Sequence, residues 1–179
     1  MDDLPGAVIR QKKEALCRQK TRVTLFVSLA ATAMAVFVLF GLLMGVGVVK
    51  GGSMSPTFED GSVVLIRRVG SRYSRGDIVS LRRRNGGSEL IKRIVALPGD
   101  TVDIRDGRLW VNGIAAAEPY AAGRTEPKAE GCTLPMTLKS EEYFVLGDQR
   151  EISKDSRGYG AIRKDEIKGK AIFFARTLR

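Results

Sequence analysis

The feature that most constrains the fold is an uninterrupted apolar run near the N-terminus. Residues 23–49 form 27 consecutive positions without a charged side chain. A helix that crosses a bilayer needs about 20 apolar residues, so the run predicts a transmembrane helix over 23–45, followed by the start of a strand. A buried helix of a soluble domain would be shorter. A cleaved signal peptide would have an apolar region of about 7–15 residues that ends at a small-residue cleavage site.

The residues that flank this run predict its orientation. Basic side chains next to a span stay in the cytoplasm, whereas a long following domain crosses largely regardless of its own charge. We therefore expect a cytoplasmic basic tail over 1–22 and an extracytoplasmic domain over 46–179; a cytoplasmic C-terminal domain is the alternative. The basic residues before the span are Arg10, Lys12, Lys13, Arg18, Lys20 and Arg22.

A pair of glycines in the apolar run raises the question of self-association. Gly41 and Gly45 have the GxxxG spacing that lets two transmembrane helices approach closely. Such pairs also occur by chance in runs rich in small residues, so the sequence does not decide whether the chain forms a homodimer.

Composition excludes several kinds of site. The chain has no histidine, which excludes a histidine general base and histidine-ligated metal within it. Its two cysteines, Cys17 and Cys132, would lie on opposite sides of the membrane and so could not pair. The net charge of +10 suits nucleic acid or an anionic membrane equally well. The basic clusters lack interleaved aromatic residues, so we expect lipid rather than nucleic acid as a partner, and no metal or cofactor.

After Lys50 the pattern becomes that of short strands separated by turns. Asp106–Gly113 reads as one hairpin strand framed by Asp-Gly and Asn-Gly turns. Residues 114–139 show no clear period and are predicted to be a variable surface excursion. The outer domain is therefore predicted to be mainly β. The predicted strands are centred on 63–66, 78–81, 90–95, 109–111, 143–146 and 171–174.

Without histidine, hydrolysis would require a nucleophile activated by another base, and a serine–lysine pair is one known variant. Burial lowers the pKa of a lysine because its charged form loses hydration. Lys92 lies in the apolar strand Leu90–Val95, and Ser53 lies in a turn after two glycines. Each residue also has an interpretation without a catalytic role: Lys92 could be a solvent-exposed lysine on an edge strand, and Ser53 could be an ordinary loop serine. The pattern alone does not choose between these interpretations.

Four segments together resemble the conserved boxes of bacterial type I signal peptidases, in family order and directly after one N-terminal span. They are Gly52–Thr57, Arg75–Val79, Ile91–Asp100 and Gly147–Gly160. The resemblance extends from the span to nearly the end of the chain and constrains 114–139 least. It implies a coiled antiparallel β-sheet protease domain of the signal-peptidase/LexA-like type, preceded by one transmembrane helix.

The resemblance also implies roles for individual residues. Ser53 matches the nucleophile and Lys92 the general base. Ser153 matches a serine that orients the lysine, and Asp155 a carboxylate that shapes the site together with Arg157 and Arg93. Asp148 and Arg150 are expected to stabilise the loop that carries Ser153. The predicted substrate pocket consists of Val49, Met54, Phe58, Leu90 and Ile91.

Two positions depart from the family pattern. Gln149 stands where asparagine is commoner. Gly51 stands where some members have a serine that donates to the oxyanion, so the Ser53 amide and a further donor must serve here.

The implied activity is removal of signal peptides from exported preproteins through an acyl-enzyme. Family substrates have small residues at positions −1 and −3 before the cut and bind as an added strand. The export machinery is a candidate partner. Three alternatives stay open: a self-cleaving repressor, a catalytically silent assembly factor, for instance in pilus building, and a membrane-tethered nucleic-acid binder.

Overall fold

The computed structural model describes residues 4–70, 72–83, 88–129 and 131–175. Helix α1, Leu4–Leu43, contains residues 23–43 of the apolar run, and the rest of the run continues into a strand. Its segment Arg18–Leu43 is long and apolar enough to cross a membrane. The helix begins earlier than the predicted span because the basic tail is also helical, and it ends two residues before the predicted boundary. The side chain of Cys17 and the predicted turn at 85–87 lie outside the described residues.

The chain after α1 forms eleven described strands, which confirms the prediction of a mainly β domain. Each of the six apolar runs singled out in the sequence lies in a strand. The strands are β1 Met44–Val48, β2 Val63–Arg67, β3 Ile78–Leu81, β4 Leu90–Ala96, β5 Thr101–Arg105, β6 Arg108–Val111, β7 Ile114–Ala115, β8 Met136–Thr137, β9 Glu142–Leu146, β10 Ile162–Arg163 and β11 Ile167–Ala175. A short helix α2, Ser156–Tyr159, and a 3-10 turn, Lys164–Glu166, complete the domain.

Seven strands form the larger antiparallel sheet in the order β1-β2-β11-β3-β4-β9-β10. Strand β4 lies inside this sheet, between β3 and β9, and its residues 92–96 are buried. Strand β1 pairs only with β2, which leaves its other edge without a partner among the described strands. One core cluster lies beneath β1 and β2 and contains Val49, Met54, Phe58, Val64 and Ile66.

The smaller sheet has the order β7-β6-β5-β8. The predicted hairpin strand is confirmed as β6, which pairs with β5 on one side and β7 on the other. Asp106 and Asn112 adopt positive φ angles of 52° and 55°, as a tight turn of this hand requires. The excursion 114–139 is more regular than expected, because β7 and β8 inside it complete this sheet.

The GxxxG pair does not lie on one helix. Gly41 is in α1, whereas Gly45 is in β1, where the Arg68 guanidinium packs against its backbone. The glycines therefore cannot form one helix-packing face. The helix ends before Gly45 because β1 pairs with β2 along its full length, from Met44 to Val48.

Candidate active site

Ser53 lies in the turn between β1 and β2, and backbone contacts fix the segment that leads to it. The Val49 amide donates to the Ser62 carbonyl at 2.9 Å, and the Gly61 amide donates to the Val49 carbonyl at 3.0 Å. Gly51 has a φ of +79°, which favours glycine. Its amide donates to Asp60 Oδ1 at 2.7 Å. The turn is thus held before Ser53.

The side chains that follow Ser53 anchor the turn to the core. Met54 and Phe58 are fully buried, and the Phe58 amide donates to the Met54 carbonyl at 2.9 Å. Burial of two large apolar side chains contributes roughly 1.5–3 kcal/mol each. Ser53 is therefore presented by a packed element.

Lys92 lies in the interior strand β4, and only 3 % of its surface is exposed. Its Nζ lies 2.7 Å from Ser53 Oγ and donates to the Ile91 carbonyl at 3.1 Å. The structure thus brings the two predicted dyad residues into hydrogen-bond contact across 39 positions of sequence. The solvent-exposed alternative for Lys92 is wrong, because the strand is covered on both faces.

Burial lowers the pKa of Lys92 from its ordinary value of 10.5, because the charged amine loses its hydration. The carboxylates of Asp155 and Asp148 oppose this shift by favouring the charged form, but burial outweighs them. An amine with a lowered pKa is deprotonated in a larger fraction of molecules near neutral pH. Such an amine can accept a hydroxyl proton.

Asp155 and Arg157 form a buried ion pair beside the site. Arg157 Nε donates to Asp155 Oδ1 at 2.8 Å, and its Nη2 donates to Oδ2 at 2.9 Å. Asp155 Oδ2 also accepts the Gly147 amide at 3.1 Å. Arg157 reaches further, donating to the Arg150 carbonyl at 2.6 Å. The pair therefore fixes the loop that leads from β9 to α2.

The resemblance grouped Arg93 with Asp155 and Arg157, but the structure pairs Arg93 with another carboxylate. Its guanidinium pairs with Asp148, at 2.8 and 2.6 Å, and not with Asp155. Arg93 is adjacent to Lys92 and points to the opposite face of β4, where Asp148 lies. Thr57 Oγ1 donates to Asp148 Oδ2 at 2.5 Å. This contact ties the Ser53 turn to the loop after β9.

Ser153 is buried next to the dyad, but its Oγ has no hydrogen-bond partner among the described residues. A Cβ at Gly147 would collide with Ser153 Oγ and with the Ser53 carbonyl, so the three residues are packed closely. The backbone N–H of Gln149 also donates to the Ser53 carbonyl, at 3.1 Å. The hydrogen bond predicted from Ser153 to the lysine is not formed in this state.

A cleft of about 250 Å³ opens beside Ser53 and Lys92. Four of the five predicted pocket residues line it: Val49, Met54, Leu90 and Ile91. Phe58 does not line it; its side chain is buried in the core cluster that also contains Met54. The sequence did not indicate the other lining residues, Val48, Lys50, Ser88 and Glu89.

Sequence reasoning also missed partners that the excursion supplies. Glu118 pairs with the buried Arg150, with both guanidinium–carboxylate contacts at 2.7 Å. Thr125 accepts a further hydrogen bond from Arg150. The Tyr120 ring lies 4.0 Å from the Arg93 guanidinium carbon. No motif marks these residues, whereas Thr57 stood in a matched box and could have been given a role.

Comparisons with known proteins identify the family that the chain resembles. A family model described as "Signal peptidase, peptidase S26" matches residues 21–175. The chain is 40% identical to signal peptidase I of Bacillus amyloliquefaciens over 139 residues, which are 71% of this chain and 74% of that protein. It is 32% identical to signal peptidase IB of Staphylococcus aureus (strain COL) over 165 residues, 82% and 85% of the two chains. A solved signal peptidase I from Enterococcus faecalis V583 is 30% identical, with a TM-score of 0.47 over 56% of this chain and 97% of that one.

Proposed function

The chain belongs to the signal peptidases of peptidase family S26, and on that premise we propose that Ser53 and Lys92 form its catalytic dyad. It is a membrane-anchored serine peptidase that acts on preproteins carrying signal peptides. The observation that carries the dyad is the 2.7 Å contact between Ser53 Oγ and an amine whose pKa is lowered by burial.

The reaction starts with proton transfer from Ser53 to neutral Lys92 as Oγ attacks the scissile carbonyl. Collapse of the tetrahedral intermediate breaks the peptide bond, and the Lys92 ammonium protonates the departing amine. The ester on Ser53 is then attacked by water, whose proton Lys92 accepts. Return of that proton to Ser53 Oγ releases the cleaved signal peptide and restores the enzyme.

The oxyanion of the tetrahedral intermediate needs hydrogen-bond donors close to Ser53 Oγ. The Ser53 amide has no hydrogen-bond partner in the part of the chain that the structure describes, so it is one donor. Gly51 is not the second donor, because its amide donates to Asp60. Loss of one oxyanion donor costs about 3–4 kcal/mol in transition-state stabilisation.

The substrate binds as an extended strand between β1 and β4. The free edge of β1 borders the cleft, and Leu90 and Ile91 pair only with β3 in the described sheet. Backbone hydrogen bonds to both edges would hold the peptide with its scissile bond at Ser53. The cleft is small and mainly apolar, which supports small residues at positions −1 and −3 of the substrate.

The orientation that we propose has the N-terminus in the cytoplasm and the β domain outside, and it is supported by Arg18, Lys20 and Arg22, which precede the apolar run. This orientation puts the cleft on the side to which cleavage sites of exported preproteins are delivered. A catalytically silent assembly factor is not favoured, because both dyad residues are present and in contact.

The test is cleavage of a preprotein with an Ala-x-Ala site by the full chain in detergent. Ser53→Ala and Lys92→Ala are expected to lower kcat/KM by on the order of 10³-fold or more. Ser55→Ala, in the same turn, and Lys139→Ala, on the surface, are the matched controls and should keep near-normal activity. Full activity in either dyad variant would end the assignment.

A further inference from the structure

A second recess, of about 340 Å³, is strongly basic and includes neither Ser53 nor Lys92, although Glu89 lines both this recess and the cleft. Arg68, Arg82 and Lys168 line it, together with Gly45, Val46 and Glu89. Arg68 and Arg82 directly follow β2 and β3, and Lys168 lies at the start of β11. Three separate elements therefore place positive charge around one opening.

The recess lies next to the point where the chain leaves its apolar helix. The Arg68 amide donates to the carbonyl of Leu43, the last residue of α1, at 2.9 Å. Gly45 and Val46 follow Leu43 after one residue. Leu43 ends the segment that is long and apolar enough to cross a membrane, so in a helix that spans the bilayer the hydrogen-bonded Arg68 would come close to the lipid headgroups.

The Arg68 side chain is supported in this position. A Cβ added at Gly45 would lie 2.9 Å from Arg68 Nε and 3.0 Å from Nη2, so the guanidinium packs directly on the β1 backbone. The backbone of Arg82 is also fixed, because its amide donates to the Glu166 carbonyl at 2.8 Å. These contacts reduce the conformational entropy that binding an anion would cost.

The charge of the recess is not neutralised within the described residues. Arg68, Arg82 and Lys168 have no carboxylate partner there, whereas Arg93, Arg150 and Arg157 near the dyad each have one. The single carboxylate of the recess, Glu89, accepts a hydrogen bond from Ser80 Oγ. Three cations against one carboxylate leave a net positive site open to an anion.

We propose that this recess binds the phosphate of an anionic phospholipid headgroup. Arginine matches phosphate oxygens with paired N–H donors, and Lys168 adds a flexible point charge. The exposed Val46 at the rim would contact the apolar part of the same lipid. The inference rests on the proposed work of the β domain at the bilayer surface. Bound lipid would hold the cleft near membrane-inserted substrates.

The test titrates the detergent-solubilised full chain with phosphatidylglycerol or phosphatidylcholine and measures bound lipid by native mass spectrometry. The triple variant Arg68→Gln/Arg82→Gln/Lys168→Gln is compared with Arg108→Gln/Arg124→Gln/Lys139→Gln, which removes the same charge from exposed positions elsewhere. Each basic residue near a headgroup contributes roughly fivefold in affinity. We expect the triple variant to weaken phosphatidylglycerol binding on the order of 100-fold, with phosphatidylcholine unchanged and the control near wild type.

Equal phosphatidylglycerol binding by the wild type and the recess triple variant would overturn the proposal. Equal losses of affinity in the recess variant and the control triple variant would also overturn it, because binding would then reflect only the net charge of the protein. Cleavage of a short soluble peptide tests the dyad separately from lipid binding. The recess triple variant should keep this activity, because the recess does not include Ser53 or Lys92. If the triple variant does not fold, Arg68→Gln should lose roughly fivefold and Arg68→Lys should retain most of the affinity. Equal binding by these two variants would also contradict the proposal.

Discussion

At the scale of single residues, Lys92 combines a proposed chemical role with a cost to the fold. Its amine is buried in β4, and burial lowers its pKa below the ordinary 10.5. Because the unfolded chain binds the proton more readily, the stability of the wild type is reduced below the folded pKa. The stability recovers as the pH rises towards 10.5, where the unfolded amine also loses its proton.

Lys92→Met should therefore abolish cleavage while it raises the free energy of unfolding, by roughly 1–2 kcal/mol near neutral pH. Methionine fills a similar volume without an amine to desolvate. Urea unfolding at several pH values measures the effect, and the gain should shrink as the pH approaches 10.5. A variant less stable than wild type at every pH would mean that the amine is well solvated or held charged by its neighbours.

Asp60 is a positioning residue that acts through Gly51, since its Oδ1 accepts the Gly51 amide before the Ser53 turn. Asp60→Ala removes a hydrogen bond worth about 1 kcal/mol, so kcat should fall roughly fivefold with KM nearly unchanged. Asp60→Asn keeps the acceptor oxygen and should restore most of kcat. Steady-state kinetics with a peptide substrate checks both, and an Asn variant as slow as the Ala variant would argue against positioning.

At the scale of elements, the excursion 114–139 contributes more to the protease domain than its sequence indicated. Its Glu118 is the carboxylate partner of Arg150, whose side chain is only 1 % exposed. Arg150 Nε in turn donates to the Gly147 carbonyl at 3.0 Å, at the start of the loop beside the dyad. The surface excursion therefore supports the loop that holds Ser153.

Glu118→Ala should destabilise the protein by about 3 kcal/mol, because it leaves a buried guanidinium without its counter-charge. Glu118→Gln retains an acceptor and should lose less. Denaturant midpoints measure both, and Glu126→Ala is the control, because its contact with Arg124 is exposed at the surface. A Glu118→Ala midpoint equal to that of the control would show that Arg150 does not depend on this pair.

The strands that sequence could predict are those with apolar runs or turn pairs. β3 and β4 are rich in Ile, Leu and Val, although β4 also contains Lys92 and Arg93, and Asp106-Gly107 and Asn112-Gly113 frame β6. β7 and β8 are two residues long and carry no period, so only pairing with β6 and β5 defines them. The end of α1 was predicted too late, because hydropathy cannot separate a lipid-facing helix from the apolar strand β1 that continues it.

The same limit applies to the candidate site. Ser53 and Lys92 could be singled out by their local sequence and the matched boxes, but no local signal predicts a 2.7 Å contact. The resemblance grouped Arg93 with Asp155 and Arg157, and the sequence could not show which carboxylate Arg93 contacts, because Asp148 and Asp155 lie in one box. Only the folded loop shows that Asp148 contacts Arg93 and that Asp155 contacts Arg157.

At the scale of the whole molecule, the chain consists of the unit Met1–Leu42 and the compact unit Leu43–Arg179. The second unit contains all three described core clusters, the dyad contact and the cleft. A domain with its own core can fold alone. The helix is therefore expected to localise the peptidase, and the β unit to perform the chemistry.

Deletion of residues 1–42 should accordingly leave cleavage of a short soluble peptide within roughly threefold of the full chain, because the unit keeps its own core. Cleavage of a preprotein embedded in liposomes should fall on the order of 100-fold, since enzyme and substrate no longer share one surface. Deletion of residues 1–49 is the matched comparison and should abolish both activities. It removes β1, which pairs with β2 and borders the cleft through Val48, and it also removes Val49, which lines the cleft. If the variant without residues 1–49 still cleaves the peptide, the free edge of β1 does not hold the substrate. If the variant without residues 1–42 loses peptide cleavage, the β unit depends on the helix.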